Sequence, residues 1–568
     1  MGAASLASGD YPRRYHRQVL HIMGETAAFF EPEVFVSRIS PTVTTESNPL
    51  ARALVPSPHR PANVVVILLD SLNRHALGCY GGVEWATPHL DRFAQRAVRF
   101  TNHHTGSLPC IPARHDLLVG AWDFLWKPWG SIELWEEAIT ASLRRAGVVT
   151  QLITDHPHLF ETGGENYHTD FTAWQYERGH ESDPWKTRPD PSWIGAPNFG
   201  RGHTHYDSSR GYFLAEDDFP GPRTMAAAAR WLGQHSVQHR AAGQRFFLWV
   251  DEFDPHEPFD TPEPWASMYD PEWKGPNLIW PPYKVGALTD GTLSPQDARQ
   301  VRAQYGGKLS MIDHWLGRVM DQLDVTNAWD DTAVIVCTDH GHYLGEPDVH
   351  RRDVWGKPAA PVYRTLGHTP LLVWWPGACT PGGTCDALTT TADLHATLLD
   401  VFGVTAKHHI HGHSLAPLLT GAATDVRDWL LTGVWGREVH LVTKQWRYAR
   451  GPQGDNAPLS MWSNRWSTMP IGRAPDFKMP PPDSRATLDR MPGSSIPVIR
   501  QPFQPGDLLP FWAYAQEYET LLFDRIEDPY ETRSVTAARD TSEAGELMRV
   551  ALQSVDAPDD QFVRLSLV

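Results

Sequence analysis

The run Ser107-Leu108-Pro109-Cys110-Ile111-Pro112-Ala113-Arg114 sets a thiol, a proline and a guanidinium close together ahead of an apolar stretch. A helix is expected over Ala113 to Val119, with Pro112 suited to its first turn. Cys110 then stands at the helix N-terminus, where free N–H groups and the helix dipole favour negative charge. Arg114 adds a fixed cation one turn later. A nucleophile in that place would be activated and its anionic adduct stabilised. A buried cysteine beside a proline turn has the same local sequence, so the motif's weight depends on its surroundings.

Those surroundings collect carboxylates and imidazoles at four further points. Asp70 closes the apolar run that begins at Asn63. Asp251, Asp254 and His256 come after Arg245 to Val250. Asp339, His340 and His342 come after Ala333 to Val336, and Asp155, His156 and His158 after Gly147 to Ile153. Short continuous apolar runs read as strands buried on both faces, the kind that parallel sheets contain. Ligands of open α/β sheets bind beyond the carboxyl ends of the strands. Four strand ends that bring such groups to one edge supply what metal-assisted hydrolysis requires.

The elements between these points alternate. Thr87-Pro88 starts a helix with Thr as N-cap, and Leu90, Phe93, Ala94 and Ala97 share a face. Leu134 to Ala146 reads as a helix. Leu309, Ile312, Leu316, Val319, Met320 and Leu323 trace another, and Pro370 to Trp374 a further strand. The expected fold is therefore α/β, a large mixed, mainly parallel sheet flanked by helices, with a smaller C-terminal α+β subdomain. We divide the chain into an N-terminal arm (1–60), a catalytic domain (61–427) and a C-terminal subdomain (428–568) with a Pro-rich insertion at 452–512. The arm and the insertion are the expected contacts of any homo-oligomer.

Composition narrows the partners. The chain of 568 residues has 50 Lys+Arg against 67 Asp+Glu, a net charge of −17. That field disfavours nucleic acid and anionic membranes, so positive charge for an anionic substrate must be local. No apolar run is long enough to span a bilayer, and the first residues lack a secretory pattern. Leu6 stands where a myristoylation signal wants Ser or Thr. Five cysteines suit a reducing compartment, and the cytoplasm is the expected location; Cys379 and Cys385 are close enough in sequence to pair, but idle thiols are the expectation. The 24 Trp are read mainly as core filler, with a sugar or aryl site as the functional alternative.

With these residues in hand, the chain resembles the formylglycine-dependent sulfatases of the alkaline phosphatase superfamily, and its layout that of their relatives the phosphonate monoester hydrolases. Cys110-Ile111-Pro112-Ala113-Arg114 matches the Cys-x-Pro-x-Arg signature that a formylglycine-generating enzyme recognises. Asn63 to Gly81 resembles the opening strand with its metal-binding Asp, and Thr338-Asp339-His340-Gly341 the second metal-binding turn. Gly356-Lys357 resembles the later Gly-Lys, and Pro255-His256-Glu257-Pro258-Phe259 the loop that supplies a leaving-group acid. Gly412 to Leu419 and Leu522 to Thr532 resemble C-terminal markers, in the family's order.

The resemblance implies hydrolysis of small sulfate esters by formylglycine made from Cys110, acting as its gem-diol. It also implies one divalent ion, Ca²⁺ first with Mg²⁺ or Mn²⁺ as alternatives, held by Asp70, Ser71, residue 110, Asp339 and His340. Arg114 and Lys357 are then expected on the sulfate oxygens and His256 on the departing alcohol. Three departures stand out: Ser71 replaces a second Asp, Asn73 an Arg, and His75 an Asp. The family's Gly-Lys-Trp-His segment is replaced by Thr154-Asp155-His156-Pro157-His158, so the cationic clamp is lost or passes to His156 or His158, either of which could also accept a proton. A phosphonate monoester or phosphodiester hydrolase is the alternative activity, and an inert binding protein of the same family the third reading.

Overall fold

Every residue of Asn63–Leu69 is buried, and this strand becomes the middle of the sheet because both its faces are apolar. The computed structural model describes residues 60–191, 204–357, 362, 364–378, 380–466, 482–513 and 518–567. Nearly all of the expected arm, residues 467–481 of the expected insertion, and Cys379 lie outside the described residues.

Eight strands form the main sheet: β1 (Asn63–Leu69), β2 (Val98–Phe100), β3 (Val149–Thr154), β4 (Ala173–Tyr176), β5 (Phe246–Glu252), β6 (Thr332–Cys337), β7 (Leu371–Trp374) and β8 (Thr384–Cys385). Their order in space is β8-β2-β7-β6-β1-β5-β3-β4. Of these, β7 alone runs antiparallel to its neighbours; the other pairings are parallel. Six helices cover the sheet: α1 (Pro88–Arg96), α2 (Cys110–Val119), α3 (Ile139–Arg145), α4 (Pro220–Trp231), α5 (Pro295–Val325) and α6 (Ala392–Phe402). Alternate residues of one strand feed opposite cores. Val64, Val66 and Leu68 pack with Ile111, Leu143 and Leu398 of α2, α3 and α6. Val65, Ile67 and Leu69 pack with Phe93 of α1, Met225 of α4, and Leu309 and Leu316 of α5.

Beyond residue 428 the chain forms a four-stranded antiparallel sheet from Leu430–Gly433, Val439–Val442, Trp446–Arg450 and Leu521–Asp524. Between its last two strands, Leu459–Ser463, Pro497–Phe503 and Thr487–Arg490 make a three-stranded sheet, so the Pro-rich stretch is more regular than its sequence.

Two local expectations change. The helix expected from Leu134 begins only at Ile139. The preceding segment is held otherwise: Glu133 accepts from the Asn464 and Arg465 N–H groups, and Glu136 faces His115 at 2.8 Å. Thr87 does occupy the N-cap position of α1, but its hydroxyl accepts from Gly78 N–H instead. The free N–H groups of His89 and Leu90 are capped from α5 by Asp313, at 3.0 and 2.8 Å, which satisfies them as well as a local cap. Cys385 is a free, half-buried thiol. Among the described residues no helix is long and apolar enough to cross a membrane. The tryptophans are mostly core, Trp122, Trp249, Trp375 and Trp435 being almost fully enclosed.

Candidate active site

Helix α2 starts at Cys110 itself, so the thiol sits on the first helical residue. Ser107 holds that start in place, its N–H and hydroxyl donating to Asp116 at 2.6 and 2.7 Å. Opposite, β1 and β6 end side by side and deliver Asp70 and the Asp339-His340 turn. Ligand atoms of Asp70, Cys110, Asp339 and His340 all lie within 4.8 Å of one another, and all four residues are buried. Cys110 Sγ is 3.2 Å from His340 Nε2. His340 Nδ1 faces the Gly341 carbonyl at 2.8 Å, so the hydrogen belongs on Nδ1 and Nε2 keeps its lone pair toward the site. Asp70 Oδ2 is buried and makes no aligned hydrogen bond, although the Arg114 guanidinium lies 3.0 Å away. A hard or borderline divalent ion fits this donor set of two carboxylates, one bare imidazole nitrogen and the group at residue 110.

Ser71 lies in the left-handed region at φ 60°. It is pinned there, its N–H donating to Asp339 Oδ1 and its carbonyl accepting from Tyr305. Its hydroxyl donates to Asp70 Oδ1 at 2.8 Å and receives Lys357 Nζ at 3.2 Å. The position that carries a second acid in many sulfatases is here a neutral bridge. Lys357 Nζ also lies 3.5 Å from Cys110 Sγ.

Arg114 is wholly buried among three carboxylates. It forks onto Asp251 at 2.7 and 2.9 Å, reaches Asp339 at 2.8 Å and Asp70 at 3.0 Å. We expected it on the sulfate oxygens; in the structure its guanidinium is taken up by the strand-end acids. Asp251, absent from the expected site residues, is the acid that fixes this arrangement. Its signal in the sequence was an ionisable group closing an otherwise apolar buried strand.

Position separates the two candidate histidines. His156 is fully enclosed, with Nε2 3.5 Å from Asp70 Oδ2. Its Nδ1 accepts the His158 N–H at 3.2 Å, which places the ring hydrogen on Nε2. His158 turns away, pairing with Glu161 and, at 3.2 Å, with Glu181. Neither is set as a base: His156 presents a donor, and His158 is charged. His256 Nδ1 meets the Glu257 carbonyl at 2.6 Å and its ring stacks on Phe253 at 4.1 Å.

Burial opposes the Asp70 charge, but Arg114 and then Lys357 outweigh it and bring the carboxyl down to about 2. Burial and the Asp70 charge push the Cys110 thiol well above its ordinary range. Burial also works against Lys357, yet Cys110, Glu257 and Asp70 hold its ammonium above the usual value. His158 loses to burial but Glu161 and Glu181 raise it to about 10. Burial, with Arg114 next, keeps His156 neutral; burial and then Lys357 do the same to His256.

The family model described as Sulfatase matches residues 62–404, more than half of the chain. Arylsulfatase K of Xenopus laevis is 22% identical over 447 residues, covering 72% of this chain and 78% of its own. A multifunctional alkaline phosphatase superfamily protein of Trinickia caryophylli is 27% identical over 442 residues, 65% of this chain and 78% of its own. The crystal structure of the phosphonate monoester hydrolase of Agrobacterium radiobacter matches with a TM-score of 0.58 at 19% identity, over 88% of this chain and 96% of that one. The chain belongs to the sulfatase family of the alkaline phosphatase superfamily, and is a sulfuric ester hydrolase.

Gly356 makes the placement of Lys357 testable. It has φ 81°, and a Cβ there would collide with the Tyr283 ring. Gly356→Ala should therefore shift Lys357. We expect turnover of an aryl sulfate to fall by roughly 10²-fold, the scale of losing one oxyanion donor. The stability cost should stay near ~1–2 kcal/mol, that of a left-handed non-glycine residue. Steady-state kinetics and urea unfolding measure both, and unchanged turnover would remove Lys357 from the site.

Proposed function

We propose that the chain hydrolyses sulfate monoesters through Cys110 after its conversion to formylglycine by a formylglycine-generating enzyme. What carries the reading is the buried set Asp70, Cys110, Asp339 and His340, with Lys357 Nζ 3.5 Å from Cys110 Sγ. A divalent ion would be held by Asp70, Asp339, His340 and the residue 110 side chain, with the Ser71 oxygen as a further donor; Ca²⁺ is the first choice and Mg²⁺ or Mn²⁺ the alternatives. When bound, the ion acidifies the nucleophile and draws charge from the ester oxygens.

The hydrated aldehyde at residue 110 has two hydroxyl groups. One, its proton lost to solvent, attacks sulfur as the alkoxide, and the bond from sulfur to the alcohol oxygen breaks as that oxygen takes a proton. The second hydroxyl then gives up its proton, the C=O bond re-forms, the bond from carbon to the sulfate oxygen breaks, and water adds to the aldehyde to restore the diol. Lys357 and the Nε2–H of His156 bind the non-bridging oxygens as charge builds. Arg114 acts through Asp70, Asp251 and Asp339 and is a positioning residue. His256 acts from its imidazolium form, giving the Nε2 proton to the alcohol and recovering one from the second hydroxyl, its Nδ1–H staying on the Glu257 carbonyl. The cysteine usage suits a reducing cytoplasm.

Charge allows a second reading on the same scaffold. Four buried carboxylates (Asp70, Asp251, Asp339 and Glu257) face two cations (Arg114 and Lys357) while His156 and His256 are neutral. A divalent ion would bring these groups to balance. A phosphonate monoester or phosphodiester is a monoanion like a sulfate monoester, so charge does not set them apart at this site. Aryl phosphonates are therefore the second substrates to try.

Peptide mass analysis of protein made alongside a generating enzyme should show the Cys110 thiol replaced by an aldehyde or its hydrate. Chelation should silence turnover of an aryl sulfate and a divalent ion restore it, while Cys110→Ser should accumulate a sulfated side chain. Full activity from an unmodified thiol, or from rigorously metal-free protein, would rule the mechanism out.

His256 can be separated from a structural role by leaving group. An alcohol that departs readily needs no proton, so His256→Ala should slow an alkyl sulfate far more than a nitrophenyl sulfate. The sign with pH follows from its lowered pKa: the acid form is lost as pH rises, beginning below pH 6.5. kcat/KM for the alkyl ester should thus decline with rising pH from the acid side, and that slope should vanish in His256→Ala. Equal losses on both esters would mean that His256 is not the acid.

A further inference from the structure

Four guanidinium groups converge where the turn after β1 and the end of β2 meet the C-terminal sheet: Arg74, Arg364, Arg447 and Arg525. Arg74 lies over the Tyr80 ring at 4.5 Å and Arg364 over the Tyr530 ring at 5.1 Å. The His75 ring is 5.9 Å from that of Tyr530. His104 Nδ1 accepts from Arg447 at 3.3 Å and its Nε2–H donates to Asn102 Oδ1 at 3.1 Å, which also accepts from Arg525 at 2.7 Å, and His104 stacks on His368 at 4.6 Å. The groups feel one another. Burial and then Arg364 bring Arg74 down to about 10. Burial, with Arg447, Arg364 and Arg74 also contributing, does the same to Arg525 against the pull of Glu531.

The counter-charge is short. Glu531 is buried and faces Arg447 at 3.0 Å and Arg525 at 3.9 Å. Among the described residues neither Arg74 nor Arg364 has an ion pair, and the buried Nε of each has no hydrogen-bond acceptor. Arg74 is only 9% exposed. Buried charges are ordinarily paired, because desolvation without compensation is costly. His75, a neutral side chain beside Arg74 and Arg364, adds no counter-charge. Tyr530 at the edge of the cluster is 65% exposed.

We propose that Arg74, Arg364 and Arg525, with His75 and Tyr530 at the rim, form a second, non-catalytic site for a free tetrahedral oxyanion, inorganic sulfate or phosphate. Guanidinium forks match such an ion in geometry as well as charge. A bound ion bridges the turn that carries Asp70 to the segment after Leu521–Asp524, and sulfate is also what the enzyme releases.

The test is thermal unfolding of the full-length protein in sulfate, phosphate or chloride at matched ionic strength. Sulfate and phosphate should raise Tm saturably and chloride should not; the ion with the lower half-saturation is the preferred occupant. Arg364→Gln should weaken that response at least tenfold, and in anion-free buffer its Tm should equal or exceed that of the native protein, because an unpaired cation is gone. His75→Asp supplies the counter-charge internally, so it should raise the anion-free Tm and abolish the response with all the arginines in place. Turnover of an aryl sulfate should be unchanged in both variants, which separates this site from the catalytic one. A native-like anion response in both variants would assign that response to the catalytic pocket and overturn the proposal. No saturable response in the native protein, or a lower anion-free Tm in both variants, would overturn it too.

Discussion

The guanidinium of Arg114 is the point on which the site is built. It is fully buried and joined to Asp70 at the end of β1, Asp251 within β5, and Asp339 after β6. Three neighbouring strands thereby present acids that would otherwise repel one another across a dry sheet edge. Taking one partner from a buried pair leaves an uncompensated charge at a cost of about 3–5 kcal/mol, which exceeds the gain from most single contacts. The planar fork matters as much as the charge: two nitrogens serve Asp251 while the remaining N–H groups serve Asp70 and Asp339, which a lysine cannot imitate. The signature arginine thus reads as an assembler of the ligand set.

That arrangement governs what the site accepts. Ser71 brings no charge, and its hydroxyl couples Asp70 to Lys357. The lysine is therefore tied to the same carboxylate that faces Arg114, and the two cations share their acids with no surplus. The buried histidines stay neutral, so they tune hydrogen bonding without altering net charge. Net charge at these residues does not by itself distinguish a sulfate monoester from another monoanion of the same shape.

Much of this was legible in the sequence for one reason: strands buried on both faces announce themselves as apolar runs, and the ionisable residues closing them must lie at their carboxyl ends. Asp70, Asp339 and His340 were found that way. Cys110 and Arg114 were marked by their place at a helix N-terminus, while the conversion of Cys110 and the role of Lys357 came from resemblance, since nothing local marks a lysine after Gly356. What stayed hidden depends on tertiary direction. Asp251 and Asp254 look alike in sequence, yet one forks onto Arg114 and the other pairs with Lys308 at 2.7 Å. His156 and His158 are two residues apart on one 3-10 turn, and a rotation of that turn decides which faces Asp70. Thr87 is the N-cap of α1 as expected, but the capping hydrogen bonds come from Asp313 on α5 in place of its hydroxyl. The late start of α3 has a similar origin, with Glu133 drawn to backbone N–H groups more than 300 residues away.

Sheet polarity accounts for both clusters of charge at once. Parallel β1, β2, β3, β5 and β6 all point their carboxyl ends to one edge, so each turn leaving them can carry functional side chains there. Because β7 runs the other way, the residues that reach this edge are those before it, and His368 is among them. The turn after β1 serves two purposes: Asp70 and Ser71 face Cys110, while Arg74 and His75 face the C-terminal sheet. The residues between them are fixed, Asn73 donating its backbone N–H to the Tyr305 hydroxyl and its side-chain amide to the His342 carbonyl. His75 therefore bears on charge only at the far face of the turn, beside Arg74 and Arg364, and leaves the groups that face Cys110 in place.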